Sequence, residues 1–405
     1  MTLQAVSNPL PGALDGLLVV DLTRVLAGPY ATMLLADFGA RVIKVEQPGR
    51  GDESRHWGPP FTADGESAYY LSVNRNKQSL TLDLKHEAGR EILRTLVRRA
   101  DIVVENFKVG TMEALGLGYP ALAAFNPGLI YCAITGYGQT GPYRHRPGYD
   151  TVIQAQGGIM SVTGPPEGEP FKVGVAVVDI TAGLYAATSI LAALHHRERT
   201  GEGQFVDIAL FDVQLGWLAN VASAYLVSGQ SPGRHGNAHA AIVPYQPFPT
   251  ADGRLMLAVG NDGQFAALCQ VLGHAEWAED SRFATNPARV EHRAHLLPML
   301  EATFRTLPTH EWIELLLEAG VPCGPVNDIP AALADPQATA RAMVQAVRGT
   351  GAELRTVGPV PKLSATPPTI RSAPPALGAD SDSLLRELLG YSDDQIAALR
   401  AARVI

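Results

Sequence analysis

Short apolar runs alternate with helix-length segments along the first third of the chain. The predicted strands cover residues 17–22, 41–46, 101–105 and 129–133, and the predicted helices cover 28–38, 87–99 and a stretch near 119–125. Neighbouring parallel strands need a long crossover connection, usually a helix, whereas antiparallel strands can be joined by a short turn. Strands separated by helix-length segments are therefore expected to be parallel. The pattern therefore predicts an α/β fold, with a parallel sheet covered by helices on both faces.

The remainder of the chain predicts a second, smaller lobe. After a strand at 204–208 and a helix at 211–227, the Gly- and Ser-rich stretch 228–236 is typical of a linker. Two strands near 251–253 and several helices between 264 and 318 predict an α+β lobe. We therefore divide the chain into a large domain over 1–227, a small domain with its linkers over 228–330, and a return to the large domain over 331–405. Prolines prevent long regular elements over 359–375, whereas residues 392–402 predict a final helix.

Composition narrows the class of protein. At 405 residues the chain is long enough for two lobes, and its net charge of −8 with no basic tract argues against a nucleic-acid partner. Three widely spaced cysteines fit neither a disulfide framework nor a zinc site, which favours a reducing cytoplasm. Residues 173–194 are long enough to cross a membrane, but polar residues interrupt them, so we expect a core helix and no membrane partner.

Several common chemistries lack their motifs. The sequence after the first strand, Asp21-Leu-Thr-Arg-Val-Leu-Ala-Gly28, is not the glycine fingerprint of a dinucleotide site. The chain also has no phosphate-binding P-loop motif, no nucleophile elbow of a serine hydrolase and no zincin motif. We therefore expect no metal and no tightly bound cofactor.

Asp179 is a lone carboxylate in an otherwise almost uncharged stretch. Residues 175–178 predict a short buried strand and residues 180–196 a buried helix, which places Asp179 at the helix N-cap. There it would accept backbone hydrogen bonds and remain ionised at the positive end of the helix dipole. From these residues alone, a structural cap is the more common role, and a catalytic role is the alternative.

Polar, glycine-rich turns follow several of the predicted strands. Ligands of open parallel sheets bind outside the carboxyl ends of the strands, so these turns are candidates for a binding site. Each turn alone is more often a simple connection. Together they carry cations that suit a ligand with several phosphates, namely Arg24, Arg75, Lys77, Lys85 and Arg146.

In their order and spacing, these segments resemble the class III CoA-transferases, also called the formyl-CoA transferase or carnitine CoA-transferase family. The resemblance runs from about residue 17 to the C-terminus, and its carriers are Asp21–Pro29, Gly39–Glu46, Asn74–Lys77, Val104–Phe107, Gly136–Pro142, Arg146–Asp150, the segment around Asp179, and Arg199–Gln204. It implies a large lobe with a Rossmann-like sheet, a smaller lobe, and a ring-shaped chain that interlocks with a second copy in a homodimer.

The resemblance also implies roles for individual residues. Asp179 matches the family's catalytic nucleophile, which forms an aspartyl anhydride and then an aspartyl-CoA thioester, with the coenzyme A thioester as substrate. Eight residues match positions that contact CoA or its thioester in this family: Val25, Leu26, Ala27, Leu82, Lys85, Asn106, Phe107 and Thr111. One family member has Gln at the position of Leu26, so here the oxyanion donors must be backbone N–H groups or other residues.

Two other functions remain open from the sequence. Acyl-CoA racemases of the same family carry His where this chain has Tyr149, and a phenol replaces an imidazole base poorly at neutral pH. A non-catalytic CoA-binding protein would keep the turns without needing Asp179. A transferase is therefore favoured over both.

The substrate class follows from a closer resemblance within the family. Segments such as His56–Phe61 and Ala238–Gln246 resemble the subgroup that takes succinyl-CoA as donor and dicarboxylates such as glutarate or hydroxymethylglutarate as acceptors. The free carboxylate of such an acceptor suits a guanidinium group. We expect Arg24 or Arg146 to bind it, with Tyr149 near the substrate; Arg24 is equally a candidate for a surface residue or a phosphate contact.

Overall fold

The computed structural model describes residues 12–347 and 354–405. The chain forms two compact units. The larger comprises the described parts of Met1–Gly158, Val173–Ala222 and Gln337–Ile405, and the smaller comprises Ile159–Lys172 and Ser223–Pro336. The chain enters the smaller unit at residues 159 and 223 and leaves it after residues 172 and 336.

A six-stranded parallel sheet forms the centre of the larger unit. Its strands are β1 (Leu18–Asp21), β2 (Arg41–Glu46), β3 (Lys77–Thr81), β4 (Ile102–Glu105), β5 (Ile130–Thr135) and β6 (Phe205–Ala209). Their order is β3-β2-β1-β4-β5-β6, and every neighbouring pair is parallel. The chain order reverses between β1 and β4, which is where open sheets of this kind leave a crevice for a ligand.

Helices cover both faces of this sheet, as the sequence pattern predicts. The first helices of the chain are α1 (Ala27–Asp37), α2 (Ala68–Ser72), α3 (Glu87–Val97), α4 (Thr111–Ala114), α5 (Tyr119–Ala123), α6 (Asp150–Gln156) and α7 (Ile159–Val162). They continue as α8 (Val177–Thr200), α9 (Leu210–Trp217) and α10 (Ala219–Ser228). Of these helices, α7 and residues 223–228 of α10 belong to the smaller unit. Val19 packs into a core with α1 and α8, whereas its neighbour Val20 packs into a core with α3 on the opposite face.

The smaller unit has its own hydrophobic core around an antiparallel sheet. The sheet contains β7 (Tyr245–Pro249), β8 (Arg254–Ala258) and β9 (Cys323–Pro325) in that order. The helices over this part of the chain are α11 (Asp262–Val271), α12 (Asn286–Glu291), α13 (Arg293–Phe304), α14 (Thr309–Glu318) and α15 (Ile329–Ala334). The next helix, α16 (Pro336–Ala340), has all but its first residue in the larger unit. Phe248, Phe304 and Trp312 stack in the core.

The last described segments belong to the larger unit. They are a hairpin of β10 (Val344–Val347) with β11 (Leu354–Val357), and the helices α17 (Ser381–Leu389) and α18 (Asp393–Ala401). Ser392 begins α18 with a capping box to Gln395, which confirms the predicted final helix. The proline-rich stretch 359–375 contains no regular element, as predicted.

Three local predictions were wrong. Lys77, which the sequence assigned to a turn, begins the edge strand β3, because its charge is neutralised by Asp21 and it can lie in a buried strand. No strand forms at 175–178, since the helix already begins at Val177. The single helix predicted over 211–227 is two helices that meet at 73°, and Ala219, the first residue of α10, has a positive φ of 37°.

Helix α8 is long and apolar enough to cross a membrane, and the bent pair of α9 and α10 meets the same test. Buried helices of soluble proteins also meet it, and Val178, Ala182, Ala186 and Ile190 of α8 are buried against the sheet and α1. Much of this apolar surface is therefore already used in the core of the larger unit.

Candidate active site

The turns after β1, β4 and β5 and the start of α8 line one cavity of about 270 Å³ in the larger unit. It lies at the carboxyl ends of the strands, at the point where the strand order reverses. The predicted site residues in its lining are Arg24, Val25, Leu26, Ala27, Asn106, Phe107, Arg146, Tyr149 and Asp179. The fold therefore brings together residues separated by more than 150 positions in the sequence.

Asp179 lies in the first turn of α8 and does not cap it. The helix begins at Val177 after Ala176, and the carboxylate of Asp150 accepts hydrogen bonds from the N–H groups of Val178 at 2.8 Å and Asp179 at 3.2 Å. The predicted N-cap role is therefore wrong, because the helix begins two residues before Asp179 and a carboxylate from α6 satisfies donors of its first turn. Among the residues that the structure describes, none donates a hydrogen bond to the Asp179 carboxylate.

Burial, followed by the negative charge of Asp150, raises the pKa of Asp179 to about 7. The expectation that capping would keep this carboxylate fully ionised is also wrong, since the cap is a second carboxylate. Near neutral pH the group is divided between its acid and its carboxylate form. Such a shift in a cavity is typical of a side chain kept for chemistry.

Asp150 is itself held in place by α6. Its other oxygen accepts a hydrogen bond from the side-chain amide of Gln154 at 2.5 Å, and the amide oxygen of Gln154 accepts the Val173 N–H at 2.9 Å. Asp150 and Gln154 are both buried. The approach to α8 and its first turn are thus fixed by one pair of side chains.

Close packing places the start of α8 beside the start of α1. A Cβ at Gly183 would lie 2.7 Å from the carbonyl oxygen of Ala27, so only glycine allows this approach. Asp179 precedes Gly183 by four residues and therefore occupies the same face of α8. This register directs Asp179 towards the N-terminus of α1.

Helix α1 begins without a side-chain cap. Leu26 is its N-cap residue, and the first turn contains no acidic residue. Over the described part of the chain, the N–H groups of Leu26 and Ala27 have no hydrogen-bond partner. Because they stand at the positive end of the helix and line the cavity, they are suited to bind a negatively charged oxygen.

A second cavity of about 680 Å³ adjoins the first. Both are lined by Arg24, Glu53, Phe107, Lys108 and Val109, and the second also contains the predicted CoA contacts Leu82, Lys85, Phe107 and Thr111. The side chains of Arg50, Lys85 and Lys108 form no ion pair with any described residue. This cavity combines an apolar lining with available cations.

Asn106 lines only the smaller cavity, and its amide binds protein. It accepts the N–H of Arg24 at 2.9 Å and donates to the carbonyl oxygen of Arg24 at 2.8 Å. In this structure the residue therefore holds the turn after β1 through both of its amide atoms.

Two of the five cations proposed as phosphate contacts are engaged elsewhere. Arg75 pairs with Asp37 at 2.7 Å and Lys77 pairs with Asp21 at 3.0 Å, and all four side chains are buried. This part of the prediction was wrong, because buried charges need partners and these two groups have them within the fold.

The two arginines expected to bind a dicarboxylate differ in their surroundings. Arg24 forms an ion pair with Glu53 at 3.1 Å and lies over the ring of Phe107. Arg146 lies 3.7 Å over the ring of Tyr143 and forms no ion pair with a described residue. Tyr149 is 60% exposed. Of the two arginines, Arg146 is the one whose charge is available.

Sequence reasoning missed four residues that shape this site. Asp150 and Gln154 hold the start of α8, Asp52 and Lys44 hold the turn after β1, and all are buried. Lys44 gave a usable signal, since a lysine inside a buried parallel strand must be paired. The others lie in loops or on a short helix, where a polar residue carries no such signal.

Tyr69 also lies near the nucleophile candidate. Burial, then the charges of Asp179 and Asp150, raise the pKa of Tyr69 to about 12, so its phenol remains protonated at neutral pH. Over the described residues, no cluster of three or more His, Cys, Asp or Glu side chains could hold a metal ion.

Comparisons with known proteins agree with this geometry. A model of CoA-transferase family III matches residues 14–381. The succinate–glutarate CoA-transferase of Agrobacterium fabrum is 48% identical over 93% of this chain and 95% of its own length. The human succinyl-CoA:glutarate CoA-transferase is 42% identical over 97% of this chain and 90% of its own length. The crystal structure of a CAIB/BAIF family protein from Brucella suis superposes with a TM-score of 0.86 at 47% identity, covering 93% of this chain and all of that one.

The raised pKa of Asp179 predicts a pH-dependent effect on stability. Its pKa is about 7 in the folded chain and 3.8 when unperturbed, so the folded state binds the proton more tightly. This stabilisation is complete below about pH 4 and is lost as pH rises through about 7. Asp179→Asn should therefore raise the melting temperature relative to the wild type at about pH 8.5, and by less at about pH 5.

Thermal denaturation at the two pH values measures this difference. Asp64→Asn serves as the control, because Asp64 is exposed and should respond alike at both pH values. A stabilisation by Asp179→Asn that is equal at both pH values would contradict the raised pKa.

Proposed function

We propose, for a chain that belongs to CoA-transferase family III, that Asp179 is the nucleophile through which CoA passes between two carboxylic acids. The chain is a CoA-transferase, and the observation that supports this role for Asp179 is its unpartnered carboxylate beside the uncapped start of α1. An ionised carboxylate that accepts no hydrogen bonds keeps its lone pairs available for attack, whereas a carboxylate that caps a helix has them engaged by backbone N–H groups.

The first half of the reaction forms a covalent enzyme. The Asp179 carboxylate attacks the thioester carbonyl, and the C–S bond breaks to give a mixed anhydride and the CoA thiolate. The thiolate then attacks the aspartyl carbonyl, which forms the aspartyl-CoA thioester and releases the donor as its carboxylate. The second half repeats these steps in reverse with the acceptor acid.

Each of these steps develops negative charge on a carbonyl oxygen. The free N–H groups of Leu26 and Ala27 are the donors that this chain offers, since the Leu26 side chain has no polar atom. Their position at a helix N-terminus strengthens the interaction with an anion.

The larger cavity is the proposed site of CoA. Leu82, Phe107 and Thr111 contribute to its lining, and Arg50, Lys85 and Lys108 supply cations for phosphate groups. A thioester that extends from this cavity towards Asp179 passes the residues that both cavities share. CoA enters this cavity as its thioester, which is a substrate, and we propose no tightly bound cofactor.

Succinyl-CoA as donor and glutarate or a similar dicarboxylate as acceptor are the proposed substrates. Two relatives at 48% and 42% identity are named for this pair, and Arg146 provides an available guanidinium in the cavity with Asp179. The structure thereby favours Arg146 over Arg24, which the sequence left equal.

The proposal also includes an interlocked homodimer in the cytoplasm. Large apolar side chains are exposed on α8, α9 and α10, for example Tyr185, Trp217 and Leu226, and α10 has no buried residue. The three cysteines are free, which is consistent with a reducing compartment.

Analytical ultracentrifugation tests the proposed homodimer. It should give twice the chain mass at micromolar concentration, and a stable monomer would contradict the dimer.

Incubation with succinyl-CoA and a panel of carboxylic acids tests the function. Mass spectrometry should detect new CoA thioesters, most abundantly with glutarate-like acids, and Asp179→Ala should abolish them because no covalent carrier remains. The control is Asp64→Ala, at an exposed position outside both cavities. Exchange that persists in Asp179→Ala would remove Asp179 from the mechanism.

Replacing Arg146 tests the binding of the acceptor. Arg146→Ala should raise the KM for glutarate by about 10- to 100-fold, because a charged hydrogen-bonding partner of the distal carboxylate is lost. The KM for a monocarboxylate of similar length should change little, and Arg24→Ala should have a smaller effect on glutarate. Steady-state kinetics with both acceptors measures this, and an unchanged glutarate KM in Arg146→Ala would reject the role.

A further inference from the structure

The turn between β1 and α1 is held at each backbone polar group from the N–H of Thr23 to the N–H of Val25. The N–H of Thr23 donates to Asp21 at 2.9 Å, and its carbonyl oxygen accepts from Nζ of Lys44 at 2.8 Å. Asn106 binds both the N–H and the carbonyl oxygen of Arg24. These contacts come from the ends of three neighbouring strands, so the sheet itself sets the path of the turn.

Val25 has a strained backbone within this turn. Its φ is +70°, in the left-handed region that a β-branched residue rarely adopts. Such a conformation persists only when surrounding contacts enforce it, and it is most common at functional sites. Val25, Leu26 and Ala27 line the cavity that contains Asp179, so the conformation of Val25 sets the direction of the free N–H groups that follow it.

Asp52 is the residue that holds Val25 in this conformation. The N–H of Val25 donates to the Asp52 carboxylate, with distances of 3.1 and 3.3 Å to its two oxygens. The same carboxylate accepts from the Ser54 N–H at 2.9 Å, the Ser54 hydroxyl at 2.8 Å and Nζ of Lys44 at 2.8 Å. Its side chain and that of Lys44 are fully buried.

The ionised state of Asp52 is built into the fold. Burial alone would raise its pKa, but the charge of Lys44 and the Ser54 hydrogen bonds together lower the pKa below its ordinary value. The carboxylate therefore remains charged at neutral pH, and hydrogen bonds to a charged acceptor are stronger than those to a neutral one.

Asp52 also positions a second part of the lining of the cavity that contains Asp179. It caps the short 3-10 helix Glu53–His56, and Glu53 forms the ion pair with Arg24 across the cavity lining. The position of this one carboxylate therefore fixes both the turn after β1 and the acidic partner of Arg24.

We propose that Asp52 is a positioning residue for CoA transfer, which keeps Val25 in the left-handed conformation so that the N–H groups of Leu26 and Ala27 face the carbonyl attacked by Asp179. This inference rests on the proposed role of Asp179. Asp52 lies in the lining of the larger cavity, but its side chain is fully buried and forms no hydrogen bond with Asp179, so it acts on the reaction through Val25.

A rescue experiment distinguishes positioning from general stability. Asp52→Asn should lower kcat by about 100-fold, comparable to the loss of an oxyanion donor, with less than about a threefold change in the KM for succinyl-CoA. Val25→Gly in the Asp52→Asn background should recover at least about tenfold of this loss, because glycine adopts a positive φ without strain. Recovery by removing a side chain is not expected if Asp52 only stabilises the fold.

Ser54→Ala is the matched control, since it removes a hydrogen bond to the same carboxylate without touching the Val25 N–H. Its kcat should stay within about threefold of the wild type. If Asp52→Asn fails to fold because Lys44 is left unpaired, Lys44→Met with Asp52→Asn removes both charges together. The same rescue by Val25→Gly is then measured in that background.

The outcomes separate this inference from the proposed function. A folded Asp52→Asn enzyme with kcat within about threefold of the wild type, or no recovery on adding Val25→Gly, would overturn the inference. In the same assay, an active Asp179→Ala enzyme would overturn the role of Asp179. If Asp179→Ala is inactive and Asp52→Asn is unaffected, the proposed function is supported and the inference about Asp52 is rejected.

Discussion

The hydrogen bonds from the first turn of α8 to the carboxylate of Asp150 determine most properties of this site. They satisfy the N–H groups of Val178 and Asp179 from outside the helix, so the first turn of α8 does not depend on the Asp179 side chain. They also place a second negative charge close to Asp179, which contributes to its raised pKa. The same contact therefore frees the nucleophile from a structural role and brings its protonation into the neutral pH range.

The opposite side of the cavity depends on buried charge pairs. Lys44 with Asp52 and Lys77 with Asp21 lie under the turn after β1, and each pair is fully buried. Buried pairs of this kind contribute little net stability, because desolvation offsets most of their attraction, but loss of one partner is costly. Here they specify the conformation of a turn whose free N–H groups face the nucleophile. A buried polar network thus has a positional function that an apolar core would not provide.

The sequence was sufficient to predict the main architecture and the general place of the site. Strand-length and helix-length segments alternate clearly, so the parallel sheet and the turns at its carboxyl edge followed from periodicity and from the known location of ligand sites. It was insufficient wherever a distant residue replaced a local interaction. Asp179 has a strong local preference to cap its helix, and nothing nearby reveals that Asp150, 29 residues earlier, takes that role. Arg75 and Lys77 looked available for the same reason, since their partners lie 38 and 56 residues away.

Trapping the covalent intermediate tests most directly whether Asp179 carries CoA. The enzyme would be mixed with succinyl-CoA without an acceptor acid, quenched in acid, digested, and its peptides mapped by mass spectrometry. The account predicts a CoA thioester on the peptide that contains Asp179, located at that residue by fragmentation and removed when glutarate is added before quenching. A thioester at a different residue, or continued CoA exchange with no covalent adduct under conditions that preserve a reference thioester, would contradict it.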